Sequence, residues 1–387
     1  MTAADHEYMA HALRLAERGL YTAHPNPRVG CVLVKDDTIV GEGWHRRAGE
    51  PHAEIHALRE AGEAARGTTA YVTLEPCCHK GRTPPCTEAL IAAGVKRVVV
   101  AMLDPNPRVA GQGLKQLMQA GIEVSSGILQ AQAETLNRGF SMRMLHQRPF
   151  VRCKLAMSLD GRTALANGKS QWITGPEARA DVQRLRARSG AIMTGIGTVL
   201  SDDPSLTVRA EYLTPEGIGF DTDGLQAVEI RQPLRVVLDS KLCMPRQAHM
   251  LGLPGRTLIV TSAPGSADTT SQIYKEWAAL EVAVVALPGT AAGVDLSAVL
   301  QHLATQYEIN DVLLEAGSIL SGAMLRAGLI DELVLYVAPL LLGDDARGLF
   351  HWLPGLEDMQ DRIKLEIDEL RAVGGDWRVT ARMIVQK

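Results

Sequence analysis

Short runs of β-branched and aliphatic residues alternate with amphipathic stretches along this chain, and no other feature restricts the fold as strongly. "TTAYVTLEP" (68–76) and "RVVVAM" (97–102) read as strands. Around them, residues 5–19, His52–Ala65, 84–93 and "GLKQLMQAG" (113–121) read as helices. The first has Met9, Leu13 and Ala16 at helical spacing and Gly19 at its end. "HPNPRVG" (24–30) is a loop by its two prolines, and "CVLVKDDTIVGEGWH" (31–45) reads as two strands turning at Asp36 and Asp37. "IEVSSGI" (122–128) is a further strand. Strands alternating with helices build an α/β sheet with helical cover on its faces.

At 387 residues the chain exceeds the usual size of a single core, so two domains are expected. A helix is expected over 136–150, ending near Pro149, and a second α/β pattern starts at "VRCKLAMSLDG" (151–161). The expected domains are therefore 1–146 and 147–387. Strands in the second are read at 151–157, 191–194, 234–238, 257–261, 281–286, 311–315 and 332–337. Residues 210–232 read as a loop insertion, and 262–275 as a surface loop running into a helix. "DPNPRVAG" (104–111) echoes the earlier proline-rich loop, which suggests two loops on one rim of the same sheet.

Within residues 51–86 lie His52, Glu54, Cys77, Cys78, His79 and Cys86, and so half of the six cysteines. Six cysteines are too few for a disulfide scaffold, and clustered ones then read as metal ligands or nucleophiles. Zinc prefers His nitrogen and Cys sulfur, and a catalytic zinc keeps one of its four positions for water. His52 and Cys86 stand at expected helix starts, where the positive helix end favours thiolate, and Cys77 follows a strand. Glu54, two residues from His52, is placed to act as a base. This is the logic of the zinc nucleobase deaminases, whose signature is H-x-E followed by P-C-x-x-C. Here the cysteines of "PCCHKGRTPPC" (76–86) are six residues further apart. Cys78 is set aside as a ligand because adjacent side chains rarely reach one ion. His79 can ligate, but a substrate contact is preferred for it. A structural zinc with Cys78 or His79 as fourth ligand is the competing reading. The insert also brings Lys80 and Arg82, cations that suit a phosphorylated substrate.

Farther on, "EAGSILSGAML" (315–325) puts Gly317, Ser318 and Gly322 between a strand and a helix, where backbone N–H groups can meet a pyrophosphate. The full G-x-G-x-x-G is absent, and "MTGIGTVLSDDP" (193–204) has Leu200 where its third glycine would stand. Each is equally readable as an ordinary strand–helix turn. Arg186 and Arg209 bracket the second stretch and can hold a phosphate, or be solvated surface residues. Trp172 in "SQWITG" (170–175) can stack on a flat ring or fill the core. Net charge of −4 and 4% aromatic residues disfavour a nucleic-acid base deaminase, the alternative reading. No secretory signal and no apolar run of membrane length is seen, so a cytoplasmic protein is expected.

"HPNPRVGCVLV", "HAEIHAL", "TLEPCCHKGRTPPC" and "AMLDPNPRVAGQG" resemble the N-terminal half of the bifunctional riboflavin-biosynthesis deaminase/reductase family. "KLAMSLDGRTA", "SQWITG", "TGIGTVLSDDPSLTVR" and "LLEAGSILSGAMLRAGLIDELVLYVAPLLLG" resemble its C-terminal half. The motifs lie in order over nearly the whole chain, and the longer cysteine spacing is that family's own. The resemblance implies an α/β protein with a cytidine-deaminase-like α/β/α domain followed by a dihydrofolate-reductase-like α/β domain. It implies Zn2+ on His52, Cys77 and Cys86, Glu54 as catalytic base, and substrate contacts at Asn26, His45, His79 and Arg82. In the second domain it implies NADPH contacts at Ala156, Trp172, Thr198, Asp202, Ser240, and Gly317, Ser318, Ile319, Leu320, Ser321, Gly322 and Ala323. Substrate contacts there would be Ser170, Arg186, Leu206, Arg209 and Glu315, with Lys154 polarising the sugar. The implied chemistry is hydrolytic deamination of a diaminopyrimidinone phosphoribosylamine, then reduction of its ribosyl chain to ribityl. Expected partners are this small phosphorylated pyrimidine and further copies of the chain, with neither nucleic acid nor membrane.

Overall fold

The computed structural model describes residues 2–79, 84–107, 109–213, 231–262, 272–290, 293–351 and 355–384. The chain divides into two compact units, Met1–Arg148 and Pro149–Lys387.

In the first unit, β1 (Gly30–Lys35) and β2 (Thr38–Trp44) form a hairpin. Asp36 and Asp37 turn it with positive φ of 47° and 58°, a left-handed pair that matches the strand twist. β3 (Thr69–Leu74), β4 (Arg97–Met102) and β5 (Glu123–Ser126) complete a sheet of order β2-β1-β3-β4-β5, antiparallel around β1 and parallel from β3 onward. Side chains alternate across it. Val32, Tyr71 and Val99 pack against Met9, Ala12 and Leu15 of α1 (Ala3–Glu17). Cys31, Leu33, Val72 and Val98 face the other way. They meet Ala53 and Ala57 of α2 (Ala53–Ala61), Leu90 of α3 (Cys86–Ala92) and Leu117 of α4 (Gln112–Gln119). The result is the expected α/β/α layering. Gly41 and Gly43 let α2 lie directly on β2, since a Cβ there would come within 2.3 and 2.4 Å of helix carbonyl oxygens.

The helix expected over 136–150 is present as α6 (Arg138–His146); an unexpected helix, α5 (Gln130–Leu136), precedes it, and the two meet at Asn137. Asn137 is fully buried. Its amide accepts from the Arg28 N–H and donates to the Arg28 carbonyl, so a long-range pairing sets the break.

The second unit holds a nine-stranded sheet. Its strands in chain order are β6 (Phe150–Ser158), β8 (Ala191–Gly195), β9 (Leu234–Leu238), β10 (Thr257–Thr261), β11 (Val282–Ala286), β14 (Asp311–Leu314), β15 (Glu332–Ala338), β17 (Leu365–Val373) and β18 (Asp376–Met383). Short ribbons pair β7 (Arg162–Ala164) with β16 (Arg347–Gly348), and β12 (Gly289–Thr290) with β13 (Gly293–Val294). The order β11-β10-β9-β8-β14-β6-β15-β18-β17 is parallel through β15 and antiparallel in the last hairpin. All seven expected strands are present. The hairpin β17–β18 was not expected, because β17 is exposed along nearly its whole length and carries no half-buried alternation. Helix α7 (Pro176–Ala187) and the short α8 (Ile196–Asp202) flank β8 in sequence. Much of the expected loops 210–232 and 262–275 lies outside the described residues.

Candidate active sites

In the first unit three elements converge. His52 caps the start of α2, Cys86 opens α3, and Cys77 lies three residues past β3. The His52 Nδ1 is 3.3 Å from the Cys86 sulfur and 3.6 Å from the Cys77 sulfur. All three candidate ligand atoms lie within 4.8 Å of one another, and Cys78 and His79 are not part of the group. The Cys86 N–H points at the Cys77 sulfur at 3.4 Å. Hydrogen bonding from Cys86, opposed by burial and reinforced by His52, holds the Cys77 thiol down at about 4. The same contact with Cys77, together with burial, pushes the Cys86 thiol up. His52 is raised, chiefly by its bond to Cys77.

Glu54, in the first turn of α2, is 3% exposed, and its Oε2 has no hydrogen-bond partner among the described residues. Burial pushes its carboxyl up. One nitrogen, two sulfurs and a buried carboxylate with one unpartnered oxygen fit a zinc ion with a position left for water.

Asn26 and His45 come to the same place. His45 is 2% exposed, and its ring meets that of His52 edge-on at 5.4 Å. The Pro51 carbonyl lies 3.2 Å from its Nδ1, so Nδ1 carries the hydrogen and Nε2 accepts from the Asn26 amide at 3.0 Å. Burial holds this histidine neutral, its pKa lowered to about 4. His79 is exposed, and Lys80 and Arg82 lie outside the described residues. Glu75, two residues before Cys77, escaped the sequence reading. Its buried carboxylate accepts backbone N–H groups from Asp104, Gly111, Gly113 and Leu114, which ties the loop after β4 to the ligand-bearing strand end. A charged residue inside the apolar run "YVTLEP" was the available signal.

In the second unit, α8 and the helix Ser318–Arg326 start after the neighbouring parallel strands β8 and β14. The two starts adjoin: a Cβ on Gly195 would stand 3.5 Å from Leu320. Gly317 caps the second helix with open space around it. Backbone N–H groups at two helix starts beside the carboxyl ends of adjacent parallel strands are donors suited to a dinucleotide pyrophosphate.

The expected contact run 317–323 is split by helical periodicity. Gly317, Ile319 and Ala323 are exposed, and Ser318 and Leu320 are partly so, while Ser321 and Gly322 are buried. Gly322 is not a phosphate-loop glycine. It lies inside the helix, where a Cβ would come 2.3 Å from the His351 carbonyl.

Arg186 also departs from expectation as a solvated or phosphate-holding arginine. Its Nε and Nη2 bind the two oxygens of Glu315 at 2.6 and 2.9 Å, and Nη1 donates to the Thr207 carbonyl. Of the bracketing pair, Arg209 is the exposed one. Lys154 on β6 completes a charged group with these two. Burial pushes its ammonium pKa down, Glu315 pulls it up, and Arg186 pushes it down again. Trp172 does not fill the core: it is 70% exposed, with the Arg179 guanidinium 4.7 Å from its ring. Leu206 is buried, Asp202 is exposed, and Ala156, Ser170 and Thr198 are partly exposed. Ser240 follows β9, and its Oγ would meet a Cβ on Gly293 at 2.9 Å.

Residues 149–379 match the family described as RibD C-terminal domain, and residues 2–102 match the cytidine and deoxycytidylate deaminase zinc-binding region. The chain is 52% identical over 373 residues to the riboflavin biosynthesis protein RibD of Escherichia coli strain K12, covering 96% of this chain and 97% of that protein. Its fold is similar to that of Acinetobacter baumannii RibD, form 1, with a TM-score of 0.87 and 46% identity over 98% of this chain and 99% of that one. It is also similar to a diaminohydroxyphosphoribosylaminopyrimidine deaminase/5-amino-6-(5-phosphoribosylamino)uracil reductase from Thermotoga maritima. There the TM-score is 0.82 and identity 31%, over 98% and 99% of the two chains.

Proposed function

The chain belongs to the RibD family of bifunctional riboflavin-biosynthesis deaminase/reductases, and from that premise we propose how its residues divide the two reactions. Zinc and NADPH are the cofactors. Residues 1–146 carry the deaminase and 147–387 the reductase. The substrate is 2,5-diamino-6-(5-phosphoribosylamino)pyrimidin-4-one, whose 2-amino group leaves as ammonia. The product is then reduced at its ribosyl chain. The nucleic-acid base deaminase reading is not favoured, since the relatives span both units.

His52, Cys77 and Cys86 hold the zinc. Zinc, when bound, lowers the pKa of water toward neutrality. Glu54 takes a proton from the attacking water and returns protons to the ring nitrogen and the departing amine, so that water and amine become carbonyl and ammonia. Neutral His45, with Asn26, offers fixed polar groups beside the ring, and His79 and Arg82 reach the substrate. In the reductase NADPH supplies the hydride. The two helix starts would hold its pyrophosphate, and Ala156, Trp172, Thr198, Asp202 and Ser240 would contact the rest of the cofactor. Lys154 polarises the sugar oxygen, Glu315 with Arg186 fixes that charge, and Ser170, Leu206 and Arg209 complete the substrate pocket.

The observation that carries this reading is the His52, Cys77, Cys86 group beside Glu54, whose buried Oε2 has no hydrogen-bond partner among the described residues. Metal analysis on single variants tests it. Cys86→Ser should lose zinc and ammonia release together, because a serine oxygen is a poor substitute for thiolate. Cys78→Ser should keep both. Equal zinc loss in the two variants would overturn the ligand set.

Self-association is part of the same proposal. β17 is the edge strand of its sheet and, with β18, exposes Leu365, Ile367, Leu370 and Trp377. An apolar, unpaired edge favours a second copy of the chain. Light scattering should find an oligomer that Ile367→Lys weakens, and a monomeric wild type would end this part of the reading. No described helix is long and apolar enough to cross a membrane, and all six cysteines are free, which suits the cytoplasm.

A further inference from the structure

Ser170 and Trp172 stand on a segment, 170–175, that belongs to no helix or strand. Such a segment presents an aromatic ring in one orientation only if its backbone is held. Two contacts hold it. Arg179, one turn into α7, donates from Nη1 to the Thr174 carbonyl at 2.7 Å while its guanidinium faces the Trp172 ring. The second comes from far along the chain. The Gly175 N–H donates to Oδ2 of Asp376 at 2.7 Å.

Asp376 is 4% exposed and opens β18. Gly175 caps α7 and has no side chain to satisfy the helix start, so the carboxylate of Asp376 meets a backbone donor at its positive end. The hairpin that carries Asp376 is itself anchored on α7. Arg371 and Arg378 both bind the buried Asp181, at 3.0 Å each, and Tyr336 donates to the same carboxylate at 2.6 Å. Between the two strands, Gly374 has φ of 62°, and a Cβ there would come 2.7 Å from Glu177. A larger residue at 374 would lift the turn away from α7. The C-terminal hairpin is thus docked along α7 from Glu177 to Asp181, and through Asp376 it reaches the 170–175 backbone by a direct hydrogen bond.

We infer that Asp376 is a positioning residue of the reductase: from the C-terminal hairpin it fixes the 170–175 segment, and through it the orientation of Trp172 toward NADPH. The inference rests on the reading of Trp172 as a cofactor contact. It gives the last hairpin of the sheet a part in cofactor affinity, although no residue of that hairpin is assigned to the cofactor itself.

The test is a double-mutant cycle on the full-length chain, read as NADPH dissociation constant by fluorescence titration, with ammonia release as the control for an intact deaminase. Loss of one hydrogen bond to a charged group corresponds to a weakening of about tenfold or more, which is expected for Asp376→Ala. Asp376→Asn keeps an acceptor oxygen and should recover most of the affinity. In a Trp172→Ala background, Asp376→Ala should weaken NADPH hardly further, since the two act as one unit. Full additivity of the two substitutions would overturn the inference and reduce Asp376 to a structural role, as would unchanged affinity in Asp376→Ala. Failure of the underlying reading looks different: Trp172→Ala alone would then bind NADPH as wild type does. If Asp376→Ala does not fold, Asp376→Glu takes its place in the cycle. The longer side chain displaces the carboxylate, and the same loss and the same non-additivity are expected.

Discussion

Glu54 and Glu315 sit largely out of solvent at the two sites, 3% and 11% exposed, and their surroundings drive them in opposite directions. Glu54 has a buried oxygen with no partner among the described residues, and burial raises its pKa. Glu315 feels the same burial, but the charge of Arg186 and its two hydrogen bonds, helped by Lys154, more than offset it and hold the carboxyl below its ordinary range. A carboxyl with one unpartnered oxygen can take and return a proton there. A carboxylate locked by a bidentate guanidinium is a fixed charge that orients its neighbours. On the proposed reading the same residue type serves proton transfer in one unit and positioning in the other.

The largest effect should come from removing the proton carrier. Glu54→Gln keeps the shape and should lower ammonia release by about 10²–10⁴-fold. Zinc content and reduction of pre-deaminated substrate should stay as in the wild type. Near-normal ammonia release would mean that Glu54 is not the base, and the contrast would collapse.

Next in size is the breaking of the ion pair. Arg186→Ala strands the Glu315 carboxylate, and losing one partner of a buried pair costs about 3–5 kcal/mol. Denaturant unfolding followed on the second unit should show that loss, with zinc retained in the first. A loss well under 1 kcal/mol would show that Glu315 is solvated after all.

The same pair makes a smaller, pH-dependent prediction. The folded-state pKa of Glu315 is depressed, so its contribution is present above the unfolded carboxyl value of about 4.3 and fades as pH falls below it. Protonation also relieves the stranded carboxylate in Arg186→Ala. The stability gap between wild type and Arg186→Ala should therefore narrow between neutral pH and about 3, and a gap independent of pH would remove the electrostatic explanation.

Smallest is the exposed arginine. Arg209→Ala should raise KM for the phosphorylated substrate by about tenfold with kcat little changed, because a phosphate contact is felt alike in ground and transition states. An equal drop in kcat would make Arg209 part of the chemistry.

Much of the fold was legible in the residues themselves. The strand runs at 97–102, 234–238 and 257–261 are found at those positions, since a strand buried on both faces is mostly apolar along its length. The zinc group was legible because its three residues lie within 35 positions and each marks an element end: two helix starts and the turn after a strand. Less legible was the start of the 136–150 helix, where Asn137, paired with Arg28 109 residues away, separates it from the unexpected helix before it.

Local pattern alone therefore determined the alternating strands and helices, the two-part α/β architecture, and a His, Glu, Cys, Cys constellation. Each depends on neighbours a few residues apart, which is the range over which side-chain period and helix capping act. Only the tertiary structure decided what burial and distant partners impose. It left one buried oxygen of Glu54 without a partner and gave both oxygens of Glu315 a guanidinium at a separation of 129 residues. It turned Gly322 from a supposed phosphate loop onto the backbone of His351. It also brought Asp376 to the Gly175 N–H across 201 residues. The free energy of a carboxylate depends on its solvation and on the nearest charge, and neither is written in the residues beside it.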